Sequence, residues 1–212
     1  GGPHVRIFDN TGTVKYNGFF AYDAAFRGGV QVACGDVDGD GTAEIVTGAG
    51  MTGGPHIKVF DAAGNTLYET FNGSTTENTG VNVAVGDLNG DGDAEIIAAR
   101  AGYGDATVTA YDAAGQVVSV TDANSHTTAF EYDQVGRRAK TIFADSNFRT
   151  TGYDLIGRRI SETDEAGKTT QYGYDALGKL TSVTDALSQV TSYGYDEVGN
   201  QVSQTDANLH TT

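Results

Sequence analysis

A single cysteine, Cys34, is present among 212 residues, so no disulfide framework can hold this chain together. Positive charge is also scarce, with 13 Lys plus Arg against 28 Asp plus Glu and a formal net charge of −15. Residues 1–110 carry 5 basic and 14 acidic side chains, and residues 111–212 carry 8 and 14. Neither half has the basic footprint that a phosphate backbone demands, which excludes nucleic acid as a partner. No apolar run approaches membrane-spanning length, which argues against membrane insertion, and no secretory signal is visible. No sustained apolar helical stripe occurs, and there is no phosphate-binding P-loop, GxSxG elbow or HExxH pair. The chain opens inside a motif, GGPH, without an initiator methionine, and is therefore expected to be a piece of a longer protein.

Repetition takes the place of these missing features. A first system has a period of 51–52 residues: GGPHVRIFD at Gly1 returns as GGPHIKVFD at Gly53, and GDVDGDG at Gly35 returns as GDLNGDG at Gly86. Short alternating runs lie between these marks. Val30, Val32 and Cys34 share one face of VQVAC, and Ile57 and Val59 share one face of HIKVF. Cys34 stands where the next copy has Val85, and is expected to be a small buried hydrophobe rather than a reactive thiol. Asp61-Ala-Ala-Gly64 reads as a hairpin turn. Four antiparallel strands per unit of this length is blade-like, and a closed propeller needs about four to eight blades. The second half of one blade (roughly 1–27), one whole blade (about 28–79) and most of another are present, so the missing blades are expected upstream.

A second system has a period of 21. Tyr-Asp occurs at 111–112, 132–133, 153–154, 174–175 and 195–196, and a glycine follows three residues after each Asp. The position before that glycine is always apolar: Ala114, Val135, Ile156, Leu177 and Val198. Each unit reads as a turn, a strand, a Thr-Asp turn and a returning strand, so that stacked hairpins build a strip of sheet. One unit has Ile142-Phe-Ala-Asp145 where the others have Thr-Asp, and its turn is expected to be reshaped. The strand Gln116–Val120 could close the last blade or open the strip, and a direct join without a linker is expected. The expected class is all-β: incomplete β-propeller blades in residues 1–110, then a strip of stacked β-hairpins in residues 111–212.

The two acidic loops carry the chemistry. Asp36, Asp38 and Asp40 occupy loop positions 1, 3 and 5; Thr42 at position 7 can offer its carbonyl, and Glu44 stands at position 9. The second loop has Asp87, Asn89, Asp91, the carbonyl of Asp93, and Glu95. An all-oxygen set without His or Cys selects a hard cation, and flexible carboxylate loops favour calcium over magnesium. An EF-hand would need a Glu at position 12, which is Thr47 or Ala98 here. The expectation is two Ca²⁺ ions, one per loop, in a structural role. The alternative is a solvated acidic turn that holds no metal.

Other polar groups carry less. His126 and His210 share a slot that elsewhere holds Asn147, Lys168 and Gln189, which marks a solvated turn rather than a catalytic position. His4 and His56 share the GGPH slot, taken by Thr107 in the third copy. Arg137-Arg138 and Arg158-Arg159 are expected to pair with neighbouring carboxylates. The tyrosines Tyr132, Tyr153, Tyr172 and Tyr193 either pack between successive hairpins or stack on sugar rings.

Residues 1–110 resemble FG-GAP/VCBS repeats, the integrin-α-like propeller blades, through both D-x-[DN]-x-D-G loops. Position 9 departs from the family, with Glu44 and Glu95 where Asp is common. Residues 111–212 resemble RHS or YD repeats, as in bacterial polymorphic toxins, toxin-complex B components and teneurins. The resemblance implies calcium in the loops and a hollow β-shell that encloses a C-terminal toxin or presents an adhesive surface. It implies partners among the remaining blades and hairpins of the parent protein, with glycans as a further partner. It also implies a secreted or cell-surface location and no enzymatic activity within this segment. In such proteins the terminating segment of the shell contains proline; the only prolines here are Pro3 and Pro55, so that segment is expected beyond Thr212.

Overall fold

A computed structural model of the chain describes residues 1–71, 78–102 and 106–212. Among these residues there are β-strands and turns and no helix, as the alternating patterns require. Two compact units, Gly1–Thr127 and Thr128–Thr212, are taken one at a time.

The first unit begins with an antiparallel hairpin of β1 (His4–Phe8) and β2 (Val14–Phe20). A four-stranded antiparallel sheet follows, in chain order: β3 (Val30–Gly35), β4 (Glu44–Ala49), β5 (His56–Phe60) and β6 (Thr66–Phe71). Then β7 (Val81–Gly86), β8 (Glu95–Arg100), β9 (Val108–Tyr111) and β10 (Val117–Thr121) pair in the same up-and-down order. The strand after Gly115 thus pairs with β9 as the fourth strand of this set. The expected all-β class of open, blade-like antiparallel sheets is what the structure shows.

Strand β4 is buried along its whole length because both of its faces are covered. Val46 joins Val37, Ile57 and Val59 against Val81, Ile96, Ala98 and Tyr111 of the following sheet. Ile45, on the opposite face, joins Phe60, Val5 and Ala21, with the Phe19 and Phe60 rings 4.5 Å apart. Gly35 on β3 allows close approach of β7, since any side chain there would run into Val85. Cys34 departs from its expected burial: it is exposed, as is Val32. The hairpin β1–β2 covers Ile45 and Phe60 on that face and leaves Val32 and Cys34 uncovered, while the opposite face, with Ala33, packs into the core. Alternation places Val30, Val32 and Cys34 on one face correctly, but only Val30 is covered there, while Ala33 on the other face packs into the core.

The second unit is one meander. Strands β11 (Thr127–Tyr132), β12 (Arg138–Ile142), β13 (Phe148–Tyr153), β14 (Arg159–Thr163), β15 (Thr169–Tyr174), β16 (Leu180–Thr184), β17 (Val190–Tyr195) and β18 (Gln201–Thr205) pair with their chain neighbours, all antiparallel. One turn geometry serves throughout. In the Tyr-Asp turns the Asp133 N–H donates to the Arg137 carbonyl at 2.9 Å and the Gly136 N–H to the Asp133 carbonyl at 2.9 Å. The carboxylate of Asp133 accepts the N–H groups of Val135 and Arg137, an Asx-type closure repeated at Asp154, Asp175 and Asp196. The fourth position of each turn needs a positive φ, which glycine supplies at Gly157 (φ 92°) without the steric cost that Ser188 (φ 62°) bears in a Thr-Asp turn.

The turn at 143–147 was expected to be reshaped, and it is not. Phe143 N–H donates to the Asn147 carbonyl at 2.8 Å and Ser146 N–H to the Phe143 carbonyl at 2.9 Å, the pattern of every other turn. The backbone closure and the positive φ of Ser146 (67°) define this turn. Losing the first aspartate removes only a side-chain acceptor, and Asp145 replaces it by accepting the Asn147 N–H at 3.0 Å.

Candidate metal-binding turns

The two acidic loops connect β3 to β4 and β7 to β8, and they are built alike. The closing strand begins with the buried glutamate, Glu44 or Glu95, each 3% exposed. Each reaches back to the second loop position: the Val37 N–H donates to Glu44 Oε2 at 3.0 Å, and the Leu88 N–H to Glu95 Oε2 at 2.6 Å. The first aspartate clamps the glycine five residues on, Asp36 Oδ2 accepting from Gly41 at 2.9 Å and Asp87 Oδ2 from Gly92 at 3.2 Å. Asp40 Oδ1 accepts the Thr42 N–H at 2.7 Å, and Asp91 Oδ1 accepts that of Asp93 at 3.0 Å. Sequence position alone identified these ligand candidates, and the loop backbone curls around their carboxylates.

In the first loop the curl concentrates negative charge. One carboxylate oxygen from each of Asp36, Asp38 and Asp40 lies within 4.8 Å of the other two. Asp36 Oδ1 is buried and has no hydrogen-bond partner. Glu44 titrates above the ordinary carboxylate range, first because burial disfavours its charge, with the charges of Asp38, Asp40 and Asp36 adding to the shift against the Val37 hydrogen bond. A buried oxygen without a donor, on an aspartate grouped with two others, is a cost that a hard divalent cation removes. The residues present fit such an ion through Asp36, Asp38 and Asp40, with Glu44 behind them.

The second loop is less polarised. Asn89 replaces an aspartate, and its Nδ2 donates to Asp91 Oδ2 at 2.9 Å and to Glu95 Oε1 at 3.0 Å. The amide thus supplies the positive edge that the first loop lacks. Asp93 does not turn into its own loop: its carboxylate lies against Gly39 of the first loop, and the Ala94 N–H donates to the Asp36 carbonyl at 2.9 Å. The end of the second loop therefore braces the first. Neither the amide bridge nor the brace was read from the sequence; an Asn in an otherwise Asp-only pattern was the available signal.

On the hairpin strip Arg137, Arg158 and Arg159 pair with carboxylates, as expected, whereas Arg138 lies over the Phe130 ring, 4.1 Å from its centre. Arg137 Nε donates to Asp133 Oδ2 at 2.7 Å, Nη1 donates to the Asp154 carbonyl of the next hairpin at 3.0 Å, and the guanidinium lies 4.6 Å from the Tyr153 ring centre. Arg158 repeats this with Asp154 at 2.7 Å, the Asp175 carbonyl at 3.1 Å and Tyr174 at 4.8 Å. Lys179 keeps only the ring contact, 5.4 Å from Tyr195. Tyr153 donates its hydroxyl to the Arg138 carbonyl, and Arg159 lies over Tyr172 at 4.5 Å. Two of the four tyrosines considered for sugar stacking thus have a ring face covered by a guanidinium; Tyr132 and Tyr193 are half-buried. His126 and His210 each face the aspartate of their own exposed turn, at 3.3 and 3.2 Å.

Comparison with solved structures finds the Photorhabdus luminescens Tc holotoxin pore at 15% identity and TM-score 0.41, covering 80% of this chain and 9% of that one. It also finds TcdB2-TccC3 at 15% identity and TM-score 0.42, covering 96% and 12%, and TcdB2-TccC3-Cdc42 at 14% and 0.42, covering 96% and 10%. The chain spans about a tenth of the length of those chains. No curated protein matches it. The RHS Repeat family model matches residues 111–147, 153–186 and 174–211, the stretch built from Tyr-Asp turns.

Proposed function

We propose that this chain is a non-enzymatic structural segment of a larger, secreted or cell-surface RHS-type protein. Its hairpin strip forms part of a β-wall that encloses a C-terminal toxin, and the acidic turns of residues 1–110 hold calcium for rigidity. The observation that carries the reading is the meander β11–β18, fastened hairpin to hairpin by Arg137, Arg158 and Lys179 within the stretch that matches RHS Repeat. Each repeat contacts its neighbours and can be extended without limit, which suits a wall. Its partners on this reading are the remaining blades and hairpins of the parent.

Calcium belongs to the proposal through the first acidic turn. Asp36, Asp38, Asp40 and Glu44 would hold the ion, and the ion would offset carboxylate repulsion and stiffen a β-turn. The second turn, with its Asn89 bridge, is the weaker of the two sites. The resemblance to FG-GAP/VCBS blades agrees with this assignment.

Cryo-electron microscopy of the full-length parent tests the wall. The expected map has residues 128–212 as one stretch of a continuous curved sheet around an interior volume. A map in which these hairpins extend alone into solvent, with the interior built from other segments, overturns it.

A further inference from the structure

Every second turn of the strip points to the same edge, because a meander alternates its turns between two edges. On one edge the apices of the second unit's four Tyr-Asp turns carry Val135, Leu155 with Ile156, Leu177 and Val198. They are 74%, 104%, 76%, 80% and 84% exposed, among the most exposed large apolar side chains of the molecule. The other apex residues of this edge are Gln134, Ala176 and Glu197, so the ridge holds one formal charge among eight apex positions. The turn aspartates beside it are occupied. Asp133 and Asp154 pair with Arg137 and Arg158, and Asp175 and Asp196 accept N–H groups of their own turns.

We infer that this apolar, charge-poor ridge is a self-association edge, and that its occupant is the same ridge of a second copy of the chain. Two features select that occupant. Strands lie about 4.8 Å apart, so tips recur roughly every 10 Å along the edge, and a partner that meets all of them must share that period. A second copy has it by construction. The second feature is charge. A chain of net −15 meets itself against least repulsion where carboxylates are already paired, as Asp133 and Asp154 are with Arg137 and Arg158 on this ridge. An isologous, two-fold contact sets Val135 opposite the partner's Val198, and Ile156 opposite the partner's Leu177.

Five aliphatic side chains remove on the order of 500 Å² from water, below the roughly 800 Å² per partner of a standard stable interface. The contact is accordingly weak and concentration-dependent, and it strengthens as more repeats join the row.

Sedimentation velocity on the 212-residue chain in physiological salt tests this. The sedimentation coefficient should rise with concentration across the micromolar to millimolar range. The triple variant Leu155→Ser, Ile156→Ser, Leu177→Ser should weaken association at least about tenfold. These side chains leave the fold nearly untouched, so an unchanged circular dichroism melt verifies that variant. Leu187→Ser with Leu209→Ser, at turns of the opposite edge, should leave association unchanged. In a Cys34→Ser background, Ile156→Cys and Leu177→Cys chains should cross-link to each other faster than either does to itself. A chain that stays monomeric throughout overturns the inference and leaves the ridge to a partner of another kind. Equal loss from the opposite-edge pair overturns it too, by reducing the effect to general stickiness.

Discussion

Replacing Arg158 with alanine should loosen the strip at one hairpin junction. The side chain is 30% exposed, makes a charged hydrogen bond to the Asp175 carbonyl at 3.1 Å and lies 4.8 Å from the Tyr174 ring centre. A partly desolvated cation–π contact contributes about 1 kcal/mol, and a hydrogen bond from a charged donor about 1.5 kcal/mol. The ion pair with Asp154, partly open to solvent, adds little. The expected loss is roughly 2 kcal/mol, or about 5 °C in the melting midpoint of a chain this long. Because each hairpin touches only its neighbours, the loss should be local. Hydrogen exchange should quicken in β13–β14 and β15–β16 and leave β3–β6 unchanged. Arg158→Lys should lose about half as much, since a lysine keeps the ring contact, as Lys179 does over Tyr195, but not the forked hydrogen bonding. An Arg158→Ala melt within a degree of the native chain, with unaltered exchange, would refute the claim that these cations couple the hairpins.

Three further outcomes follow from the turns. In chelator at pH 7.5, Glu44→Gln should raise stability by roughly 1–2 kcal/mol, because it removes a buried charge facing three aspartates while keeping an acceptor for the Val37 N–H. In calcium the same substitution should lower it, as read from paired thermal melts. The gap in chelator should also close on acidification. The folded-state pKa of Glu44 lies above the ordinary 4.5, so the relief that protonation brings is complete below 4.5 and is lost as pH rises through the folded value. Melts of both chains from pH 7.5 to 4.5 check this, and the comparison cancels the shared contributions of His56 and the turn aspartates. Ser188→Gly should stabilise the chain by about 0.5–1 kcal/mol, since Ser188 holds φ 62° in a turn where glycine carries no left-handed penalty; denaturant titration reads it.

Much of this architecture was legible because repetition states it many times over. The 21-residue period gave the meander, since each Tyr-Asp turn closes on its own aspartate and positive-φ residue. The pairing of Arg137 and Arg158 with carboxylates could be read from an Asp four positions earlier. The features that escaped depend on which surfaces meet. Cys34 and Val32 alternate correctly, yet both are left uncovered, and the sequence of β3 holds no sign of where the β1–β2 hairpin stops. The turn at Phe143 looked irregular because its side chain changed, whereas backbone closure and a positive φ fix its shape. The Asn89 bridge and the stacking of Arg158 on Tyr174 join residues whose relation exists only after the chain has folded.

In the acidic turns, the loop curvature gathers Asp36, Asp38 and Asp40, and the cost of gathering them is what calcium would relieve. Calorimetric titration of the chelator-stripped chain with calcium, beside Asp38→Asn, is the direct measurement. The account predicts saturable heat with a dissociation constant of about 10⁻⁴ to 10⁻³ M, a melting point raised at saturation, and a response sharply weakened by Asp38→Asn. Absence of heat and an unmoved melting point at several times that concentration would contradict it.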